Sequence, residues 1–180
     1  MKIVAFTGMP FSGKSEAVKI AKEQNIPVIR MGDMVWEETK CQGLEINDSN
    51  VGKIANDMRK THGMDIWAQK TYEKIKTMKD VEKLVIDGIR NIEEVEFFEK
   101  NLGKDFVLVA VKVPDDLRHK RAMTRGREDD SMDLKKIKER DRRELGWGLE
   151  KVIDSADIKI LNEGAIEDFC EKIKEVFKDL

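Results

Sequence analysis

The chain has 180 residues, 40% of them apolar and 39% charged, with 34 basic against 36 acidic side chains. That length suits one α/β domain with small insertions, and the apolar share is enough for a buried core under a heavily charged surface. A formal net charge of -2 argues against a protein that coats nucleic acid in bulk, while leaving room for a local basic patch.

The first element, Lys2 to Thr7, is a short β-branched apolar run that ends in glycine and reads as a buried strand. The same MKIVAFTG start lacks the layout of a signal peptide. From Lys14 to Lys22, the helical spacing of Ala17, Val18 and Ala21 predicts a helix. Ile26 to Ile29 reads as a second strand with Pro27 near its start. Lys83 to Asp87, Phe106 to Val113 and Ile158 to Leu161 read as three more. Helical patterns fall between them, including Glu93 to Lys100 and Ile166 to Phe177. Such alternation predicts a parallel sheet covered on both faces. The longest apolar run, Phe106 to Val113, is interrupted by Lys112 and is too short to span a bilayer. Cys41 and Cys170 stand far apart, without a CxxC or Cys/His cluster, and read as reduced thiols of a cytoplasmic protein.

Two stretches break the alternation. Asp33 to Lys79 carries helical patterns and no convincing strand, and Gly126 to Gly148 is very polar, with Leu134 and Ile137 as its few apolar anchors. Both are expected to form substructures over a site.

The residues Gly8-Met9-Pro10-Phe11-Ser12-Gly13-Lys14-Ser15 match G-x-x-x-x-G-K-[ST] in full, between a predicted strand and a predicted helix. The spacing has a physical reason. Gly8 lets the chain leave the strand in a tight turn, and Gly13 lets backbone amides come close to phosphate oxygens. Those amides and the helix N-terminus form an anion cradle. Lys14 reaches the β- and γ-phosphates, and the Ser15 hydroxyl can ligate Mg2+. A nucleotide with Mg2+ is therefore expected to bind there.

Asp87 ends the apolar strand Leu84-Val-Ile-Asp87, where a phosphate-loop fold aims an acid at the metal. The alternative is a helix cap, but Asn91, with Glu94 three residues on, already supplies one. Arg90 can grip a phosphate in bidentate fashion, or be an exposed side chain with no partner. Arg118, Arg121 and Arg125 share a helical face by their i, i+3, i+7 spacing, and Arg127 follows. Residues 118–143 hold eleven basic and six acidic side chains in a chain that is acidic overall. Positive charge there would stabilise a transferring phosphoryl group. A solvated face with internal ion pairs is the alternative, and is the reading for Arg142 and Arg143. His62 reads as an ordinary helix-end residue and His119 as an exposed one.

Taken together, the chain resembles the nucleoside monophosphate kinase superfamily of phosphate-loop kinases, most closely an archaeal family placed near dephospho-CoA kinase and adenylate kinase. The resemblance rests on GMPFSGKSE, on Arg30-Met-Gly32-Asp33-Met34, on Arg121-x-x-x-Arg125 and on Ala156-Asp157-Ile-Lys-Ile-Leu-Asn162-Glu-Gly164. It implies a three-layer α/β fold with a five-stranded parallel sheet in a single domain. It also implies a helical acceptor-binding insertion at about 33–78 and a lid at about 126–148. Asn162 and Gly164 would then lie beside the adenine. Asp33, Arg59, Arg90 and Arg127 would meet the acceptor, and Lys14, Asp87, Arg121 and Arg125 would serve catalysis. Two departures fall on the acceptor side. Trp36 stands where adenylate kinases carry Arg, and Asp87-Gly-Ile-Arg90 is one residue shorter than their run. Trp36 reads either as a stacking surface for an acceptor base or as a packed helix residue.

The leading expectation is transfer of the γ-phosphate of Mg-ATP to a small nucleotide-like acceptor. The alternatives are an ATP-dependent regulatory switch and, with less support, a nucleic-acid end kinase. A GTPase is disfavoured: no Asp stands three residues before any of the 12 glycines, and there is no NKxD. No membrane partner is expected, and the sequence leaves the oligomeric state open.

Overall fold

The computed structural model describes residues 1–124 and 134–179. Five strands form one parallel sheet in the order β2-β3-β1-β4-β5: β1 (Lys2–Thr7), β2 (Val28–Arg30), β3 (Lys83–Asp87), β4 (Phe106–Lys112) and β5 (Ile158–Leu161). The helices are α1 (Lys14–Glu23), α2 (Met31–Cys41), α3 (Asp48–His62), α4 (Ile66–Lys76) and α5 (Ile92–Leu102), then α6 (Asp115–Thr124), α7 (Leu134–Gly146), α8 (Leu149–Ser155) and α9 (Ile166–Asp179).

Alternation along β1 builds the two halves of the core. Ile3 and Ala5 face a cluster with Met34 of α2, Trp67 of α4, Phe98 of α5 and Val152 of α8. Val4 and Phe6 face the other way, onto Ala17 and Ile20 of α1 and Phe169 and Ile173 of α9. The central strands β1, β3 and β4 thus bury both faces, which is why their runs read as continuously apolar. The expected three-layer α/β fold with five parallel strands is present. β2 starts two residues later than the sequence pattern placed it. Pro27 has no N–H for the ladder, and the Ile26 amide is already used on Ala21 O at 2.8 Å, closing the end of α1.

The segment after β2 enters α2 without a loop and continues through α3 and α4, so the stretch expected to be helical is helical. Asn91 caps α5 as expected, its side chain accepting from the Glu94 amide at 2.8 Å. In α7, Ile137 is buried but Leu134 is 38% exposed, so only one of the two expected anchors packs.

Four of the segments singled out from the sequence for chemistry lie at or past the carboxyl end of a strand. Gly8–Gly13 follows β1, Asp33 lies just past β2, Asp87–Arg90 closes β3 and Asn162–Gly164 follows β5. Open parallel sheets bind ligands at this edge. The edge is tied together by Thr7 Oγ1 donating to Ile89 O at 3.0 Å and by the Gly88 amide donating to Phe6 O at 3.1 Å. Among the described residues, no helix is long and apolar enough to cross a membrane.

Phe98 is 0% exposed and its ring stacks on Phe106 with centroids 5.6 Å apart. Phe98→Ala is expected to lower stability by about 3–5 kcal/mol in urea denaturation. Leu134→Ala, at an exposed position, should stay within about 0.5 kcal/mol of wild type.

Candidate functional site

The segment Gly8–Gly13 curls because three of its residues adopt positive φ: Gly8 at 144°, Phe11 at 63° and Gly13 at 102°. Glycine does this freely, whereas for phenylalanine it is uncommon and costly. A Cβ on Gly13 would run into Asn162 Nδ2, so the close approach there also requires glycine. Positive-φ residues among negative-φ ones are the backbone pattern of an anion nest, in which N–H groups turn toward one concavity; the Ser12 amide is spent within the loop, on Met9 O at 3.2 Å. Lys14 opens α1 and is only 9% exposed. Its Nζ donates to Gly8 O at 2.6 Å and Met9 O at 2.9 Å, with Ser12 Oγ at 3.4 Å. Burial, reinforced by the nearby Arg90 cation, lowers its pKa from 10.5 to about 7 against the opposing pull of Asp87 and Glu144.

Two carbonyls of the loop are held from outside. Arg118 of α6 donates through Nη1 to Pro10 O at 3.1 Å. Asn162, just past β5, donates through Nδ2 to Ser12 O at 2.9 Å. The Arg118 guanidinium is 1% exposed and is gripped by both oxygens of Asp141 on α7 at 2.8 Å each, with Asp115 at 2.7 Å. Burial alone would lower its pKa, but the hydrogen bonds to Asp141 and Asp115 outweigh that and raise it.

Two clefts open near this edge of the sheet, and Phe11, Gly13 and Ser15 of the loop line the smaller. The larger, of about 330 Å³, is lined by Asp33 and Trp36 of α2, Arg59 of α3, Asp87, Arg90 and Trp147, among others. Its wall is a lattice of paired charges. Arg59 Nη2 meets Glu94 Oε1 at 3.0 Å in a buried pair, and its guanidinium lies 4.3 Å from the Trp147 ring centroid. Arg90 Nε and Glu144 Oε2 form an ion pair at 2.9 Å without hydrogen-bond alignment. Arg140 Nε donates to Glu144 Oε1 at 3.1 Å. Arg143 reaches across to Asp48 on α3, with Nη2 2.9 Å from Oδ1. Trp147 Nε1 donates to Asn56 Oδ1 at 2.6 Å. Burial would raise the Glu144 pKa, yet Arg90, Arg140 and Lys14 together hold it below the ordinary carboxylate value. Asp87 Oδ1 is buried with no hydrogen-bond partner among the described residues.

The smaller cleft, of about 300 Å³, is lined by Phe11, Gly13, Ser15, Arg121, Asn162 and Gly164, with Glu16 and Ile166. Arg121 Nη1 donates to Asn162 O at 2.8 Å. Asn162 and Gly164, expected at the adenine, thus share this cleft. Asp33, Arg59, Arg90 and Asp87, expected at the acceptor and metal, line the larger one. Arg125 and Arg127 lie outside the described residues.

Some residues differ from their sequence reading. Arg118 does not line up with Arg121 as an open cationic face; it is buried and pinned. His119 is half-buried, with Nε2 2.9 Å from Asp141 Oδ2, and not simply exposed. Arg143 is a cleft residue, where a solvated role was expected; Arg142 is exposed. Trp36 is not packed but 41% exposed in the cleft. Arg140, Glu144 and Trp147 were missed, although the i, i+4 spacing of Arg140 and Glu144 puts those two on one face of α7. Glu94 was noticed only as a capping residue, yet its carboxylate also takes the Arg90 amide at 2.7 Å.

Lys14 sets a pH dependence. From about 7 toward 10.5 the unfolded chain keeps this proton and the folded chain releases it, so stability rises with pH over that window. The stability of wild type relative to Lys14→Met should therefore improve across it, as read by urea denaturation at stepped pH. A flat difference contradicts the buried amine.

Residues 7–138, from the end of β1 into α7, match a family described as "AAA domain". Over 181 residues the chain is 45% identical to a UPF0200/UPF0201 protein of Archaeoglobus fulgidus, covering 100% of this chain and 56% of that relative's length. It is 44% identical to a UPF0200 protein of Methanosarcina mazei, with 99% of this chain and 95% of the relative covered. TT1252 from Thermus thermophilus has a similar fold, with TM-score 0.67 and 16% identity over 99% of this chain and 97% of that one. Shikimate kinase from Aquifex aeolicus follows it less closely, with TM-score 0.54 and 17% identity over 98% and 96%. The chain has the phosphate-loop kinase fold and belongs to the UPF0200 family within the wider group described as "AAA domain".

Proposed function

We propose that the chain is an ATP- and Mg2+-dependent phosphotransferase, passing the γ-phosphate to a small nucleotide-like acceptor. One observation supports this reading: the cleft lined by Phe11, Gly13 and Ser15 of the loop is separate from a second one lined by Trp36, Asp87 and Arg90. A switch that only binds and hydrolyses ATP has no use for the second, charged and aromatic cleft.

The triphosphate lies along Gly8, Met9, Pro10, Phe11, Ser12 and Gly13, with the nucleoside toward Asn162 and Gly164. Lys14 is held by loop carbonyls at present. A phosphate gives it a better partner and restores its charge. Ser15 and Asp87 would hold Mg2+: an oxygen-only pair suits this hard cation, and the unpartnered Asp87 Oδ1 is the sign of a missing partner. The ion would supply charge neutralisation for the phosphates. Asp33, Arg59 and Arg90 position the acceptor, and Trp36 and Trp147 give it flat surfaces for stacking. Arg121, with Arg125 and Arg127, closes over the phosphates and excludes water. Residues 33–78 act as the acceptor-binding insertion and about 126–148 as the lid. The free thiols Cys41 and Cys170 support a reducing, cytoplasmic setting.

The test is transfer from γ-labelled Mg-ATP to nucleoside monophosphates, nucleosides, dephospho-CoA and short RNA ends. Label is expected on at least one small acceptor, with a loss of about 10²-fold or more in Lys14→Ala and in Asp87→Asn. Steady phosphate release with no labelled acceptor makes the protein a regulatory ATPase instead, and label on RNA ends alone makes it a nucleic-acid kinase. With the acceptor in hand, Trp36→Ala should raise its KM by about tenfold while leaving the KM for ATP in place.

A further inference from the structure

We infer that Arg118, clamped by Asp141, is a positioning residue that aims the Phe11 amide into the anion nest and so makes phosphate binding depend on α7. The inference rests on the reading of Gly8–Ser15 as a triphosphate site.

The steps are geometric. In a trans peptide the carbonyl and the following N–H lie in one plane and point in opposite directions. Whatever holds a carbonyl outward therefore turns the next amide inward. Gly8 O and Met9 O accept from Lys14, a contact within the loop that the lysine gives up when it turns to a phosphate. The carbonyls of Pro10 and Ser12 are held by side chains 108 and 150 residues away, Arg118 and Asn162. These two holds set the direction of the Phe11 and Gly13 amides. Gly13 takes its φ of 102° without a Cβ to object. Phe11, at 63°, pays for its conformation and needs the outside hold more.

Arg118 has little freedom to release Pro10. Its Nη1 and Nη2 each bind one oxygen of Asp141, fixing the plane of the guanidinium. Asp141 is buried on α7 and, among the described residues, also meets His119 on α6. The chain of contacts runs from α7 through Asp141 and Arg118 to Pro10. An arginine that merely joined α6 to α7 would need no bond to the loop.

The experiment uses inorganic tripolyphosphate as the probe, measured by calorimetry on the full chain. Arg118→Leu combined with Asp141→Leu removes both buried charges together, the change such pairs tolerate best. Arg118→Lys is the second variant: it keeps a cation but loses the planar fork that spans Asp141 and Pro10. Far-UV circular dichroism and the thermal midpoint verify folding. Each folded variant is expected to bind tripolyphosphate about tenfold or more weakly than wild type. Phe11 amide exchange should quicken in both. Wild-type tripolyphosphate affinity in either folded variant overturns the inference and leaves Arg118 a structural strut. Failure of the wild-type chain itself to bind tripolyphosphate overturns the anion nest, and this proposal with it; the two failures appear in different samples.

Discussion

A backbone loop that gathers N–H dipoles into one concavity is short of negative charge, and the rest of this structure is arranged around that shortage. The loop after β1 also leaves carbonyls at Gly8, Met9, Pro10 and Ser12 that need donors. Lys14, Arg118 and Asn162 provide for them. Placing these donors brings α6, α7 and the end of β5 to the same edge of the sheet as Asp87. The parallel topology makes this possible, because every strand delivers its carboxyl end to that edge.

Charge around the larger cleft is balanced rather than piled up. Arg59, Arg90, Arg140 and Arg143 each face a carboxylate: Glu94, Glu144, Glu144 and Asp48. Inside a protein, an unpaired guanidinium is far more costly than a paired one. The balance also keeps each planar group in a set orientation. A ligand entering there meets oriented donors and acceptors, with indole faces at Trp36 and Trp147, and not a diffuse positive field.

Much of this was legible because it is local. The strands β1, β3 and β5 lie where the apolar runs put them, and Asn91 caps α5 as its spacing with Glu94 implies. The phosphate loop and the acid at the end of β3 are motifs of a few adjacent residues. The start of β2 was misplaced because the amide of Ile26 goes to a helix end that no periodicity reveals. The cleft wall was harder for a different reason. Arg143 and Asp48 are 95 residues apart, as are Trp147 and Asn56 by 91, so no local pattern joins them. In a chain that is 39% charged, a buried, paired arginine such as Arg118 looks like any surface arginine. Only its neighbours in space separate the two.

The bonds that α3 makes with α7 and with Trp147 just beyond it form rungs of unequal strength. At the outside, Arg143 meets an Asp48 side chain that is 68% exposed, a rung that dissolved salt weakens. Further in, the indole N–H of Trp147 is tied to Asn56, and the ring lies against a guanidinium that is itself locked to Glu94. Raised ionic strength therefore loosens the outer rung before the inner one, which is shielded by its own pairing.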